Sequence, residues 1–368
     1  MAQLKSTLKR LFPSLLRRLG RGPTHHWHQL RPQNKKILSG WAEAQMKPWL
    51  SSGTKKYDLQ RKFAELNDSD KNIIVADFTG DSLIIRKKSK NYTYEAWMEF
   101  RIESYRFLVE RVALEHGISG TFTIAYDVRD QGDVQHDAPI FVFQKSETSG
   151  NLLLPDPDFF TQNWYENRQD WMPYRKKVRR AVFAGASSGT CGGLTVEIVR
   201  NDQTPRLKLA AEAINHSEID ITIRAAVEYT TPEAKSILES KAYFIKSWIS
   251  LSSQFENRFM ISIDGNGPTC SRVVHTLLSN SILLKHHDNF KNSKILFYYY
   301  GMQSGVHYLP FSSISDIETI LDHEKNGKIP VNTIRRNAQR FARTYLSRDA
   351  VEFYLATVLK QYTRSFFS

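Results

Sequence analysis

Apolar positions recur along this chain in two rhythms, one of three to four residues and one of short continuous runs. The first rhythm opens the sequence. Leu4, Leu8, Leu11, Phe12, Leu15, Leu16 and Leu19 predict an amphipathic helix that Pro13 kinks or splits. Residues 43–70 are polar and read as helical or irregular. Ile73–Val75 and Leu83–Ile85 are short apolar runs, with Gly80-Asp81 as the turn between two strands. Glu95 to His116 has the helical period, with Trp97, Phe100, Ile102, Tyr105, Leu108, Val109, Val112 and Leu114 mostly on one side and Gly117 as the stop. Strands follow at Gly120–Tyr126 and Ile140–Phe143.

Pro155-Asp156-Pro157 breaks regular structure, and the stretch at about 160–178 reads as a linker. The alternation then resumes. Ala181–Phe183, Asp220–Val227, Phe259–Ile263 and Ser281–Leu284 are strand-like. Arg206–Asn215, Thr231–Leu238, Ser271–Ser279, Asp316–His323, Val331–Leu346 and Asp349–Tyr362 are helical, with Pro232 suited to a first turn. Strands alternating with helices predict a layered α/β fold. At 368 residues the chain has the length of about two domains.

Charge changes this picture at one end. The net charge is +13, and nine Lys or Arg with no Asp or Glu lie within residues 1–42. A basic face on the folded body, which nucleic-acid binding would need, is therefore not indicated. A cationic amphipathic arm points instead to an anionic membrane surface, at about 1 kcal/mol per basic residue near the headgroups; a helix packed on its own domain is the other reading. Lys9, Arg10, Arg17 and Arg18 interrupt the apolar positions as no cleavable signal peptide would. His25, His26 and His28 surround Trp27 without a nearby Cys or carboxylate, so no metal site is assigned there. Two cysteines, Cys191 and Cys270, exclude a disulfide scaffold.

Four segments carry candidate chemistry. Phe183 to Thr190 is a strand opening into a loop of Gly185, Ser187, Ser188, Gly189 and Thr190, whose amides and hydroxyls suit an anion. It lacks the Gly-Lys-Ser/Thr of a P-loop and the spacing of a dinucleotide fingerprint. Asp264-Gly265 ends a later strand, and Ser271-Arg272 enters the next helix, where a guanidinium can fork onto a diphosphate. Arg206 is a second cation for the same purpose. Asp127 and Asp130 end another strand, and together with Asp81 they compete on spacing alone for a general base. His307-Tyr308 before Leu309-Pro310 either lines a pocket or packs.

Taken in order, these segments resemble glycosyltransferase family 90. The resemblance runs from about Asp77 to Tyr362, through V-R-D at 128–130, P-I-F-V-F-Q-K at 139–145, L-P-D at 154–156, F-A-G-A-S-S-G-T at 183–190, P-R-L-K-L-A at 205–210, I-D-G at 263–265, S-R at 271–272 and H-Y-L-P at 307–310. It implies a GT-B fold: two Rossmann-like domains facing across a cleft, with the final helix crossing back to the first. On this sequence that gives a basic arm at 1–42, an acceptor domain at 43–165 completed by 349–368, and a nucleotide-sugar domain at 179–348. It implies an inverting transfer of a hexose or pentose without metal or other cofactor. Asp130 would be the base, and Gly185, Ser187, Ser188, Thr190, Arg206, Asp264, Gly265, Ser271 and Arg272 would face the nucleotide-sugar, with Asp127, His307 and Tyr308 nearby.

The chain departs from the family pattern where an Arg commonly follows the Phe of the loop, here Ala184, and at Lys285-His286-His287-Asp288. The expected role is transfer from a nucleotide-sugar, UDP-linked as first choice, to a glycan or lipid-linked acceptor of lipopolysaccharide or capsule. The expected place is the cytoplasmic face of a bacterial membrane, with no nucleic-acid partner. A catalytically inactive nucleotide- or sugar-binding module of the same fold is the alternative.

Overall fold

A computed structural model describes residues 30–51, 56–89, 92–130, 136–166, 170–190, 192–268, 270–287 and 294–368. The leucines at 4–19 and the histidines at 25, 26 and 28 lie outside the described residues. The chain divides into two compact units. The first comprises Met1–Asn163, Ile295–Tyr300 and Thr344–Ser368; the second comprises Trp164–Lys294 and Gly301–Arg343.

The first unit begins with helices α1 (Pro32–Ser51) and α2 (Lys56–Ser69). Strands β1 (Ile73–Thr79) and β2 (Ser82–Ile85) form a hairpin turned at Gly80-Asp81. Helix α3 (Ala96–Glu115) leads to β3 (Phe122–Asp127), and short strands β4 (Phe141–Val142) and β5 (Leu152–Leu153) complete a sheet of order β2-β1-β3-β4-β5. Only β3, β4 and β5 run parallel, because β1 is antiparallel to both its neighbours. This sheet is mixed rather than the wholly parallel sheet of a Rossmann-like unit: a two-residue turn returns the chain antiparallel, whereas a parallel return needs a crossover. The run at 140–143 yields only two strand residues in this sheet.

Residues 32–42, assigned above to the basic arm, are the first half of α1. Leu38 and Ala42 are wholly buried and Trp41 nearly so. These apolar side chains lie at three- and four-residue intervals, so they bury one face whatever the charges at Lys35 and Lys36. Deeper in α1, Gln45 bridges Tyr354 and the Leu153 amide. Tyr354 belongs to the last helix, α9 (Arg348–Phe366), whose Tyr362 hydroxyl donates to the Thr123 carbonyl of β3 at 2.7 Å. Phe297, from the 295–300 segment, stacks on Tyr354 at 4.7 Å between ring centres. In α3 the buried stripe is Met98, Ile102, Tyr105, Leu108, Val109 and Val112, while Trp97 and Leu114 are exposed.

The second unit is built on a parallel sheet. Its strands are β6 (Val178–Ala186), β7 (Ile219–Ala225), β8 (Asn257–Ser262), β9 (Ile282–His286) and β10 (Leu309–Phe311). The order is β10-β9-β8-β6-β7, every pair parallel. The connecting helices are α4 (Pro205–Glu212), α5 (Pro232–Glu239) and α6 (Cys270–Leu278), followed by α7 (Ile314–Lys325) and α8 (Val331–Tyr345). Thr204 and Thr231 cap α4 and α5, each followed by Pro at the first helical position. Phe183, Ile221, Phe259, Ile261 and Leu284 form the sheet's buried centre.

The two units divide between Asn163 and Trp164, inside the stretch read as a linker, and residues 170–178 belong to the second unit. Lys177 and Asp170 form an ion pair at 2.9 Å whose side chains are 0% and 1% exposed, and Asp170 also accepts the Asn280 amide. A polar composition looks like a linker in sequence, but here the two charges satisfy one another inside the unit.

Candidate functional site

The strand order of the second unit reverses between β6 and β8. In a doubly wound sheet, the carboxyl ends of the strands at such a switch point diverge and leave room for a ligand. The loops leaving these two strands are the Gly/Ser/Thr segment from Ser187 and the Asp264-Gly265 turn, so the topology brings two of the four sequence-derived segments together.

Two arginines anchor this place. Arg206, in the first turn of α4, donates Nε and Nη2 to the Ile263 carbonyl at 3.1 and 3.0 Å. Its Nη1 donates to the Ala186 carbonyl at 2.9 Å and to Ser188 Oγ at 2.8 Å. Arg272, in the first turn of α6, donates Nη1 to Gln254 Oε1 at 2.7 Å and Nη2 to the Ala184 carbonyl at 2.6 Å. Its Nε is buried without a hydrogen-bond partner. Both guanidiniums lie by the Phe183 ring, at 5.4 and 4.7 Å from its centre. Among the described residues, neither has a carboxylate within ion-pair distance.

Burial therefore acts on both charges with little to offset it. It draws Arg206 down to about 10, with Asp264 and Glu228 opposing. Burial, with the charge of Arg206 added, draws Arg272 down to about 9. Two desolvated cations of like sign in one place form a local positive potential suited to an anion carrying more than one charge.

Two glycines make the arrangement possible. A Cβ on Gly185 would stand 2.7 Å from the Phe183 ring, and one on Gly265 would stand 2.6 Å from Ser188 Oγ and 2.8 Å from Arg206 Nη2. Gly265 thus lets the strand-end turn approach the guanidinium. Asp264 itself pairs with Lys285 of β9 at 3.3 Å, a lysine the sequence reading noted only as a departure.

The hydroxyls divide. Ser188 joins Arg206, whereas Ser187 Oγ donates to the Val227 carbonyl at 3.0 Å and accepts its amide at 2.9 Å, tying the β6 and β7 loops together. Thr190 Oγ1 accepts the Gly193 amide at 2.9 Å. Ser271 sits half-buried in the first turn of α6. His307 packs: its Nδ1 accepts the Gln303 amide at 2.9 Å, and its ring lies 4.8 Å from Phe341. Burial holds its basicity below the usual imidazole range and raises the Tyr308 phenol.

The first unit gathers charge of the other sign. The three aspartates that spacing alone left equal are separated by their surroundings. Asp81 sits exposed in the hairpin turn, bonded to Ser82. Asp127 is buried and closed on Arg129, accepting its amide at 2.9 Å and its guanidinium at 2.7–3.1 Å, while Arg129 also reaches Asp70. Asp130 keeps 43% of its side chain exposed and pairs with Arg101 Nη2 at 2.7 Å.

Sequence reasoning missed Arg101. It donates Nη1 to the Val128 carbonyl at 2.7 Å and lies 5.3 and 5.1 Å from the Trp97 and Phe143 ring centres. The spacing of Trp97 and Arg101 was the available signal, since residues four apart on a helix are neighbours. Asp156, quoted only within L-P-D, is also part of this group. Burial and the nearby Asp158 push its carboxyl up to about 7, against the pull of Arg101. Burial likewise raises Asp158. Among the described residues no three His, Cys, Asp or Glu are placed to hold a metal ion, and no helix is long and apolar enough to cross a membrane.

Comparison with known proteins gives two matches. The model of glycosyl transferase family 90 fits residues 124–367, well over half of the chain. Protein O-glucosyltransferase 2 of Danio rerio is 29% identical over 119 residues, which are 31% of this chain and 22% of that protein. The chain thus matches less than a quarter of its relative's length.

Proposed function

The chain belongs to glycosyl transferase family 90, and on that premise we propose that it moves a sugar from a nucleotide-sugar to a hydroxyl of a glycan or lipid-linked acceptor. The observation that carries this reading is the pair of buried guanidiniums, Arg206 and Arg272, at the switch point of a doubly wound sheet, neither with a carboxylate within ion-pair distance among the described residues. Such a place suits the diphosphate of a nucleotide-sugar, and UDP is the first nucleotide to try. The relative's name is that of a protein O-glucosyltransferase, which favours glucose among the donors and leaves the acceptor to experiment.

The reading takes the fold as GT-B, the second unit holding the donor and the first the acceptor. Asp130 takes the proton of the attacking hydroxyl, the oxygen forms the new bond to the anomeric carbon, and the bond to the diphosphate breaks with inversion. The leaving diphosphate gains charge as that bond breaks, and Arg206 and Arg272 stabilise it without a metal. Arg272 reaches the backbone carbonyl of Ala184, so this contact does not use the side chain at the position where the family commonly has Arg. Residues 1–42 carry nine positive charges, which supports a place at an anionic membrane surface on its cytoplasmic side, next to a lipid-linked acceptor of lipopolysaccharide or capsule.

Titration calorimetry of the full chain against UDP, GDP, CDP and their common sugars, with and without chelator, tests the proposal. The expected result is chelator-insensitive binding of one nucleotide, weakened in Arg272→Ala and kept in Asp130→Asn, with product formed only by the unsubstituted protein. Binding without turnover on a panel of sugar acceptors would favour the inactive-module alternative. A folded protein that binds none would remove the donor-site assignment.

A further inference from the structure

Residues 170–178 of the second unit hold a tryptophan out in solvent. Trp171 is 82% exposed, and Arg175, Lys176 and Val178 on the same loop are exposed too. The loop is fixed at its neck: Asp170 pairs with the buried Lys177 and accepts the Met172 amide at 3.1 Å, and Lys177 also donates to the Phe255 carbonyl. Tyr174 is buried with its hydroxyl on Glu324 at 3.0 Å, and Arg258 takes the same carboxylate at 2.7 Å. Asn280 joins this loop to helix α8. Its amide donates to Asp170 at 2.6 Å, and its side-chain oxygen accepts Arg335 Nη1 at 2.8 Å and Gln339 Nε2 at 3.1 Å. Helix α8 buries Ile334, Ala338, Phe341 and Ala342 and carries no Asp or Glu. Arg336, Arg340 and Arg343, four and three residues apart, form its exposed stripe. Among the described residues none of these three has a carboxylate within ion-pair distance. Counting charge over the whole body hides this stripe, because acidic residues elsewhere offset it.

We propose that the Trp171 loop and the arginine stripe of α8 are the surface by which the second unit docks on an anionic lipid bilayer. Trp171 sits at headgroup level, and Arg175, Lys176, Arg336, Arg340 and Arg343 face the lipid phosphates. The chemistry of the surface fits that occupant. Tryptophan favours the membrane–water interface, because its ring is apolar and its N–H still needs a polar partner. Cations near an anionic leaflet each add attraction, and arginine forks onto phosphate. The buried neck of the loop presents the ring without an ordering cost on contact. An exposed Trp171 and Val178 beside the cations favour a bilayer over duplex nucleic acid, whose phosphates would use the arginines alone. Glu256 is the exposed carboxylate at the loop's edge, its carbonyl accepting the Val178 amide at 2.8 Å. The surface is separate from the donor loops and from residues 1–42, so it does not rest on either assignment.

Sedimentation of the full chain with vesicles tests this without knowing either substrate. The vesicles are phosphatidylcholine and phosphatidylglycerol in equal parts, or phosphatidylcholine alone. The protein should bind the mixed vesicles and leave the neutral ones. Changing Arg336, Arg340 and Arg343 together to Gln should weaken partitioning about fivefold per charge removed. Changing Lys47, Lys71 and Lys246 to Gln removes equal charge from exposed positions elsewhere and should cost far less. Tryptophan quenching by brominated lipid in the mixed vesicles gives a second reading. It should fall in Trp171→Phe and stay unchanged in Trp248→Phe, whose ring is 79% exposed on another segment. Equal binding to both vesicle types, equal losses in the two charge variants, or quenching that ignores Trp171 would each overturn the surface. Binding of duplex DNA through the same arginines, with Trp171→Phe silent on vesicles, would assign the stripe to nucleic acid and overturn it as well. A variant with Lys5, Lys9, Arg10, Arg17 and Arg18 changed to Gln separates the arm. If that variant partitions as before, the arm reading fails and this surface stands.

Discussion

The two units each concentrate charge, but of opposite sign and in opposite ways. In the second, Arg206 and Arg272 are buried against carbonyls and an aromatic ring, and among the described residues neither has a carboxylate within ion-pair distance. In the first, Asp130 pairs with Arg101 at 2.7 Å, and burial raises the nearby carboxyls of Asp156 and Asp158. Asp127 and Arg129 lie only a few residues away, where the buried Asp127 is closed on Arg129 and Arg129 also reaches Asp70.

The largest test of that contrast is Asp130→Asn. Removing a general base typically costs about 10²–10⁴-fold in turnover. Steady-state assays on the donor found by calorimetry should show that loss with nucleotide affinity unchanged, because the substitution leaves the second unit intact. A comparable loss with Asp127→Asn and none with Asp130→Asn would reverse the assignment.

Arg272→Ala and Arg206→Ala should each weaken nucleotide binding about 10–100-fold, the range for a charge-assisted hydrogen bond of about 1.5–3 kcal/mol. The same guanidiniums give a pH signature. Their protonated forms hold the anion, and burial has lowered them to about 9 and about 10. Affinity measured by calorimetry should therefore be flat to about pH 8 and fall as pH rises above it.

The two glycines sharpen the comparison within the second unit. Gly185→Ala forces the buried Phe183 ring aside, and overpacking of that kind costs about 1–3 kcal/mol, read as a lowered denaturation midpoint. Gly265→Ala meets the ends of flexible side chains, Ser188 and Arg206. It should leave the midpoint close to the unsubstituted value and lower nucleotide affinity instead.

A separate effect is on the pH dependence of stability in the first unit. The Asp156 carboxyl is raised to about 7, above its ordinary 3.8. Between these values the folded state binds the proton more tightly than the unfolded chain, so this group's contribution declines as pH rises towards 7 and is lowest above it. Asp156→Asn removes that dependence. Its melting temperature relative to the unsubstituted protein should be higher at pH 8 than at pH 5, and a constant difference would show that Asp156 does not titrate there.

Much of this was legible from local pattern. The helical periods at 95–116, 331–346 and 349–362 and the proline at 232 describe their own neighbourhoods, and the helices formed there. The loop after Phe183 and the turn at Asp264-Gly265 were visible as strand ends rich in small residues. The division at 163/164 falls inside the stretch read as a linker, while composition could not tell the buried ion pair of Asp170 and Lys177 from solvated charge. Arg101 was missed because its partner, Asp130, lies on a loop beyond β3, where no helical or strand period relates the two.

The sequence by itself determined which segments alternate, where their helices start, and which short loops could hold an anion or a base. These follow from backbone propensity and side-chain period, which act over a few residues. Only the tertiary structure decided that β6 lies between β7 and β8, which brings Arg206 and Arg272 to one strand end. It alone decided which aspartate is closed on a partner and which stays accessible. Desolvation and ion pairing depend on residues far apart in the chain, and they set the chemical state of a side chain only once folding has chosen its neighbours.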